Sequence, residues 1–494
     1  MKVSVCKHLF IAIAAAALAL GATLGEPSPS PVPKDLDGKW WGEMRHGSET
    51  GELGLQFERR PDGRVLVREW MSNLNAYGSP VGRLQFKDGK FFVPEANVAL
   101  SLKENVLTGS VGSAGLTFSL RRSDTDFPTE PQPPTGQTGP DPSWTYKATG
   151  SIWASPIADH GIAFVGDSNG TLHAVDAANG KAKWTFRAGG GIFGAAGVRG
   201  DALFFAADDG FLYKLNRNTG AQIWRVSIGG ADIKRVLPSM EAADWDAHGA
   251  TPAFQGDVVY IGSANAVLHA LDVSTGKPLW HFKTNGKIRA AALATENAVY
   301  VGSLDHFIYA LDRKTGKEVW RFDTGSPVTT APVSAGDKVV IGTRDRATLY
   351  ALDAKNGKPA WEVYYWLSWV ESAPVLVDDL LYIGSSDSRR VRAIDPADGS
   401  VLWATQVWGW TWGTPLVVGD TVYYATGGTA KYFITQQASL GALDRKTGAL
   451  KWRKPIPLPA GALFNGYAGS LTFAGGKIVA AGLDGTLQAF AVSP

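Results

Sequence analysis

Apolar and polar positions alternate in two distinct ways along this chain, and the change falls near residue 143. From 36 to 122 the period is two, in short runs at 39–45, 52–58, 64–70, 81–86, 90–93, 98–102, 106–110 and 116–121. Asp62-Gly63 and Asp88-Gly89 punctuate them, as tight turns between strands require. Short antiparallel strands of this kind predict a small barrel or sandwich. Residues 123–142 then carry Phe127-Pro128-Thr129-Glu130-Pro131-Gln132-Pro133-Pro134, a composition that cannot bury a core and predicts an extended linker.

The second pattern has a much longer period. Ala310-Leu311-Asp312-Arg313-Lys314-Thr315-Gly316-Lys317-Glu318-Val319-Trp320-Arg321-Phe322 reads as a strand, a tight turn at Lys314-Thr315-Gly316, and a second strand carrying Trp320. Close copies occupy 174–186, 214–226, 270–282, 351–363, 393–405 and 442–454, bringing Trp184, Trp224, Trp280, Trp361, Trp403 and Trp452 into register with it. Trp144 stands forty residues before Trp184 and supplies an eighth. Repetition at about forty residues, all strand and turn, predicts an all-β propeller with four strands per blade. The last repeat, 469–492, stops without a Trp strand, so the strand around Trp144 is expected to close it, giving eight blades over 143–494. Two intervals run long: fifty-six residues from Trp224 to Trp280 and forty-nine from Trp403 to Trp452. They place insertions near 227–248 and 427–439, where function is first sought on a repeat scaffold.

Composition narrows the class. With 48 Lys and Arg against 46 Asp and Glu, the net charge of +2 gives no nucleic-acid-binding field. Lys2, Lys7 and His8 precede the apolar run 9–20 and small residues near 21–25, so 1–25 reads as an export signal and 26–35 as a tether. The run is too short for a comfortable membrane span, and a periplasmic or secreted protein that is not membrane-embedded is expected. Cys6, the one cysteine, lies inside that signal, leaving no thiol for a disulfide, a thiolate metal site or a covalent haem.

The thirteen-residue unit resembles the tryptophan-docking repeat of the pyrroloquinoline-quinone (PQQ) propeller superfamily, with Ala310, Asp312, Thr315, Gly316 and Trp320 at the motif positions. The resemblance spans about 350 residues and implies that each of the eight Trp packs between one blade and its neighbour's turn. The superfamily holds quinoprotein dehydrogenases, which carry PQQ and a calcium or lanthanide ion over the central channel. It also holds non-catalytic members such as the BamB-like outer-membrane assembly propellers, which bind proteins. Gly38-Lys39-Trp40-Trp41-Gly42 and Phe86-Lys87-Asp88-Gly89 resemble small lipocalin-like modules, implying a packing or ligand-holding role for 36–122.

Aligning the segments that open each inner strand gives a ring: Trp153, Phe193, Gly249, Arg289, Thr329, Glu371, Trp412 and Ala468. The next two positions are small throughout, as crowding at a propeller axis demands. Near this ring lie Trp245, Trp366, Trp369, Trp408 and Trp410, with Tyr364, Tyr365, Phe464 and Tyr467. They are read either as filling the channel top or as a stacking surface for a quinone, sugar or peptide. Arg344, Arg346, Arg389 and Arg390 fall in loops on the same face and are expected either to be solvated or to read an acidic ligand. Glu371 and Arg289 are expected either to pair across the channel or to clamp a substrate.

By resemblance, Asp246 in Trp245-Asp246-Ala247-His248-Gly249 corresponds to the dehydrogenase base. Other family features are missing. Ala154-Ser155 replaces a vicinal-cysteine pair, Ala264 stands where a cation is expected, and no Glu metal ligand appears near 206–209. The leading expectation is a non-catalytic envelope binding or scaffold protein with no cofactor, taking a protein or glycan partner through the aromatic face. The alternatives are a PQQ-dependent alcohol or sugar dehydrogenase needing an external electron acceptor, and a carbohydrate-binding or carbohydrate-active propeller.

Overall fold

A computed structural model describes residues 32–111, 115–136, 138–237, 246–429, 432 and 436–492. The expected export signal at 1–25 and most of the tether lie outside the described residues. The described chain divides into two compact units, the first reaching Gln132 and the second built mainly on residues from Pro133 onward. No helix among the described residues is long and apolar enough to cross a membrane.

The first unit is one antiparallel sheet of nine strands: β1 (Gly38–His46), β2 (Glu49–Arg59), β3 (Val65–Met71), β4 (Ala76–Arg83), β5 (Gln85–Lys87), β6 (Lys90–Val93), β7 (Val98–Lys103), β8 (Val106–Val111) and β9 (Leu116–Arg122). The order β4-β3-β2-β1-β9-β8-β7-β6-β5 puts the sequence neighbours β4 and β5 at the two sheet ends, so the sheet curls into a nearly closed barrel. Inward positions alternate along each strand, as in β3, where Val65, Val67, Glu69 and Met71 are buried. The run expected at 81–86 is instead the end of β4 and the start of β5. The segment β4 had escaped the period-two pattern because Gly78, Pro80 and Gly82 break it, and its register with β3 shifts twice. The start of the expected linker is docked rather than free. Phe127 packs against Trp70, with ring centroids 4.2 Å apart, and against Trp41 at 5.5 Å.

The second unit is an eight-bladed propeller. Seven four-stranded blades follow in sequence, and the eighth joins β10 (Pro142–Lys147) to the last three strands of the chain, with Trp144 opposite Ala489. The turn chemistry explains the repeat. Asp312 accepts hydrogen bonds from the Thr315 amide and hydroxyl at 2.8 and 2.7 Å, and the Gly316 amide donates to the Asp312 carbonyl. Gly316 sits at φ +69°, and a Cβ there would stand 2.6 Å from the Trp280 ring. Trp280 in turn donates its indole N–H to the Arg313 carbonyl at 2.9 Å, tying the third blade to the fourth.

The same indole-to-carbonyl bond recurs from Trp144, Trp184, Trp224, Trp320, Trp361 and Trp403 to the following blade. Trp452 completes the set by ring packing, since a Cβ on Gly139 would lie 2.3 Å from it. The middle strands are buried on both faces, as Ile162–Gly166 shows, and apolar clusters fill each gap between blades. In the seventh blade the surplus residues lengthen one strand to Thr421–Thr429, which pairs with an added strand at Phe464–Gly466.

Candidate functional site

The eight segments that open the innermost strands lie where neighbouring backbones meet. A Cβ on Gly194 would stand 2.2 Å from the Ala250 carbonyl oxygen, and one on Gly413 2.3 Å from that of Gly469. Small residues there are a steric requirement. Among the ring positions, Phe193, Arg289, Thr329, Glu371, Trp412 and Ala468 are buried, while Trp153 and Gly249 are half-buried.

Asp246 is the charge centre of one side. Arg289 grips it with both prongs, Nε to Oδ1 and Nη2 to Oδ2 at 2.6 Å each, and Lys287 Nζ reaches Oδ2 at 2.7 Å. Arg235 stands 3.7 Å from Oδ1 and spends its other donors nearby. Its Nη1 donates to the carbonyls of Asp246 and His248 at 2.5 Å, its Nε and Nη2 hold Asp208, and its guanidinium lies 4.1 Å over the Phe193 ring. Burial alone would raise the Asp246 carboxyl. The Arg289 pair outweighs it, helped by Arg235 and Lys287, and holds the group below the usual carboxylate range. Trp245, expected beside it, lies outside the described residues.

A second pair occupies the other side. Arg344 binds Glu371 Oε1 through Nε at 2.5 Å and through Nη2, and His248 Nε2 stands 3.6 Å from Oε2. Burial pushes the Glu371 carboxyl up, but Arg344 and His248 overcome it and hold the group at about 2. The expected pairing of Arg289 with Glu371 is therefore corrected, because each finds a nearer partner in another loop. Arg344 and Arg389 are also buried rather than solvated, while Arg346 is exposed. Arg344 lies 4.6 Å over the Trp369 ring, which shields its charge from water.

Of the two readings of the aromatic group, an open stacking surface and a filled channel top, the burial of these rings fits the second. Trp366, Trp369, Trp408, Trp410 and Trp412 are all buried, Trp410 to 2 % exposure. Trp410 stacks on Trp412 with centroids 4.9 Å apart and planes 14° apart, and on Phe464 at 6.1 Å. Trp410 also donates its indole N–H to Asp387 at 2.8 Å. The loops that carry these rings are strained. Trp366, Leu367 and Trp408 have φ of +50°, +68° and +62°, a region that bulky side chains rarely enter.

Sequence reasoning thus found Asp246, Arg289 and Glu371 but missed Arg235, Lys287 and His248 as their partners. Arg235 sits in the insertion that the Trp spacing had located. Chemically, the described residues make two neutralised carboxylates, not a free base. A cation at Asp246 would compete with three side-chain cations for two oxygens, and no group of three or more His, Cys, Asp or Glu among the described residues is placed to hold a metal.

Solved structures share the propeller at low identity, which speaks to the fold alone. BamB from Moraxella catarrhalis is 20% identical with a TM-score of 0.48, over 67% of this chain and 91% of that one. The computationally designed Ika8 protein is 18% identical with a TM-score of 0.53, over 72% and 100%. The quinohemoprotein alcohol dehydrogenase of Comamonas testosteroni is 15% identical with a TM-score of 0.52, over 72% and 77%. No curated protein matches the chain by sequence. A family model does: PQQ_2, described as outer membrane protein assembly factor BamB, matches residues 131–243, 208–330 and 305–494. Those three matches run through the whole propeller, and the chain belongs to that family.

Proposed function

We propose that this chain is an exported, non-catalytic binding or scaffold propeller of the cell envelope. One observation carries the reading: the buried acids of the channel ring, Asp246 and Glu371, are each consumed by a clasping arginine. A general base needs a carboxylate free to take a proton near neutral pH, and these are held in the opposite sense. The described residues around Asp246 also do not fit a calcium or lanthanide ion beside PQQ, since the positive charge such an ion would bring is already supplied by Arg235, Lys287 and Arg289.

The family description favours a protein as partner, and the sequence at 1–25 favours a periplasmic or secreted site of action. The partner is assigned to the channel-mouth face, where the rings of the loops at 364–370 and 407–412 are buried and the exposed Arg346 and half-buried Trp153 are the accessible groups that support the reading. Titration of the purified protein with PQQ, with and without calcium or lanthanum, is expected to give no binding. Tight metal-dependent binding would overturn the proposal in favour of a dehydrogenase with Asp246 as base, and Asp246→Asn must then abolish quinone-dependent turnover. Envelope proteins captured by the wild type are expected to be lost with the Arg346→Glu/Trp153→Ala variant. Retention of every partner would sink the assigned face, and capture of glycans instead would move the reading to carbohydrate binding.

A further inference from the structure

The barrel of the first unit holds a carboxyl that nothing in the described protein satisfies. Glu69 lies on the inward side of β3, between Val67 and Met71 on the same face, and faces Leu55 on one neighbouring strand and Ser79 on the other. It is 4% exposed, and burial is the one influence acting on its carboxyl, with no hydrogen bond or ion pair to it among the described residues. Charged residues on the same strand pair illustrate the contrast. Arg68 and Glu58 point outward and meet each other at 3.3 Å. Glu69 is the one charged side chain in an otherwise apolar lining that includes Met44, Leu55, Val67, Met71, Leu100 and Phe118.

These walls do not close completely. The space among them, counted together with what opens toward solvent, is about 390 Å³, and its interior is narrow. Space this narrow leaves little room for rings or branched groups, and an unbranched alkyl chain is the slimmest apolar occupant. Met44 and Met71 are unbranched and can shift to widen it. A buried carboxyl without a partner costs folding free energy, and a ligand in the gap it lines would satisfy it.

We propose that the barrel binds an unbranched alkyl amine, with the tail along the apolar gap and the amine against Glu69. Burial pushes the free carboxyl up to about 8, so it enters the complex largely protonated at neutral pH. An alkyl amine is an ammonium ion at neutral pH, so on binding Glu69 releases its proton to solvent and the ammonium donates its hydrogen bonds to the carboxylate that remains. An ammonium-to-carboxylate bond is among the stronger polar contacts available in such a site.

The test is calorimetric titration of the full chain with octylamine, 1-octanol and octanoate, alongside the methyl NMR signals of Met44 and Met71. Octylamine is expected to bind about tenfold or more tightly than octanol, corresponding to one charge-assisted hydrogen bond, and to shift both methionine methyls. Glu69→Gln is expected to remove the preference while leaving weak chain binding. Val67→Leu, which narrows the gap without touching Glu69, is expected to weaken both amine and alcohol. Equal affinity for amine and alcohol, tighter binding of octanoate, a preference that survives Glu69→Gln, or heat without methionine shifts would each overturn the proposal. Absence of octylamine binding would do so as well.

Discussion

Glu371 in the propeller and Glu69 in the barrel are the same side chain, equally buried, and the protein treats them in opposite ways. Glu371 is clasped by Arg344 beneath a Trp ring, and its carboxyl is held at about 2. Glu69 has apolar neighbours and is pushed up to about 8. Desolvation acts in the same direction on both, so the whole difference comes from partners. A paired acid is structure that has been neutralised for good, whereas an unpaired one is still open to a ligand.

The comparison breaks most sharply where a partner is removed. Arg344→Met leaves Glu371 buried with only His248 nearby, and a loss of about 3–5 kcal/mol is expected from denaturant unfolding followed in the propeller. Adding Glu371→Gln to that variant should return much of the loss. If the single and double variants unfold alike, the pair is not what holds these loops.

Acidity and alkalinity should separate the two groups next. The Glu371 carboxyl is depressed from its usual 4.5, so its stabilisation is present above pH 4.5 and lost as pH falls toward 2. The Glu69 carboxyl is raised from 4.5, so the barrel is most stable below pH 4.5 and loses stability as pH rises through 8. Amide hydrogen exchange resolved by residue measures both, with each change on the order of a few kcal/mol. Parallel pH profiles in the two units would contradict the assignment.

Smaller effects sharpen the picture. Glu69→Leu is expected to stabilise the barrel by about 1–3 kcal/mol at pH 7, read as a rise in its unfolding midpoint, because an unsatisfied group is replaced by one that fits the lining. Lys287→Met removes a half-exposed third partner of Asp246 and should cost about 1 kcal/mol or less, since Arg289 keeps both oxygens. A larger loss would mean that Lys287, not Arg289, sets the charge balance.

How much of this was legible in the sequence depends on the range of the forces involved. The blades were, because each is written locally: an Asp or Asn four residues before a turn Gly, then a Trp four residues on, repeated about every forty. The barrel strands were legible where inward and outward positions alternate, and not at β4, where glycines and a proline bend the strand. Glu69 itself stood in the inward phase of a readable run, and that phase was the available signal. The ring pairs were not legible. Arg344 and Glu371 lie 27 residues apart and Lys287 and Asp246 lie 41 apart, and which cation reaches which acid is decided by side chains leaning between loops.

The strand that closes the propeller has a consequence in time. Thr145 on β10 meets Gln488 across 343 residues of chain, and Tyr146 fastens the same strand to His173 of the first blade at 2.9 Å. At about 5–20 residues per second, the ribosome takes roughly 17–70 s to supply the partner that β10 needs. Throughout that interval the first propeller strand made is the last one paired, and its bare edge is a template for any other chain nearby. A newly made copy therefore depends on whatever keeps it apart from its neighbours until its two ends meet.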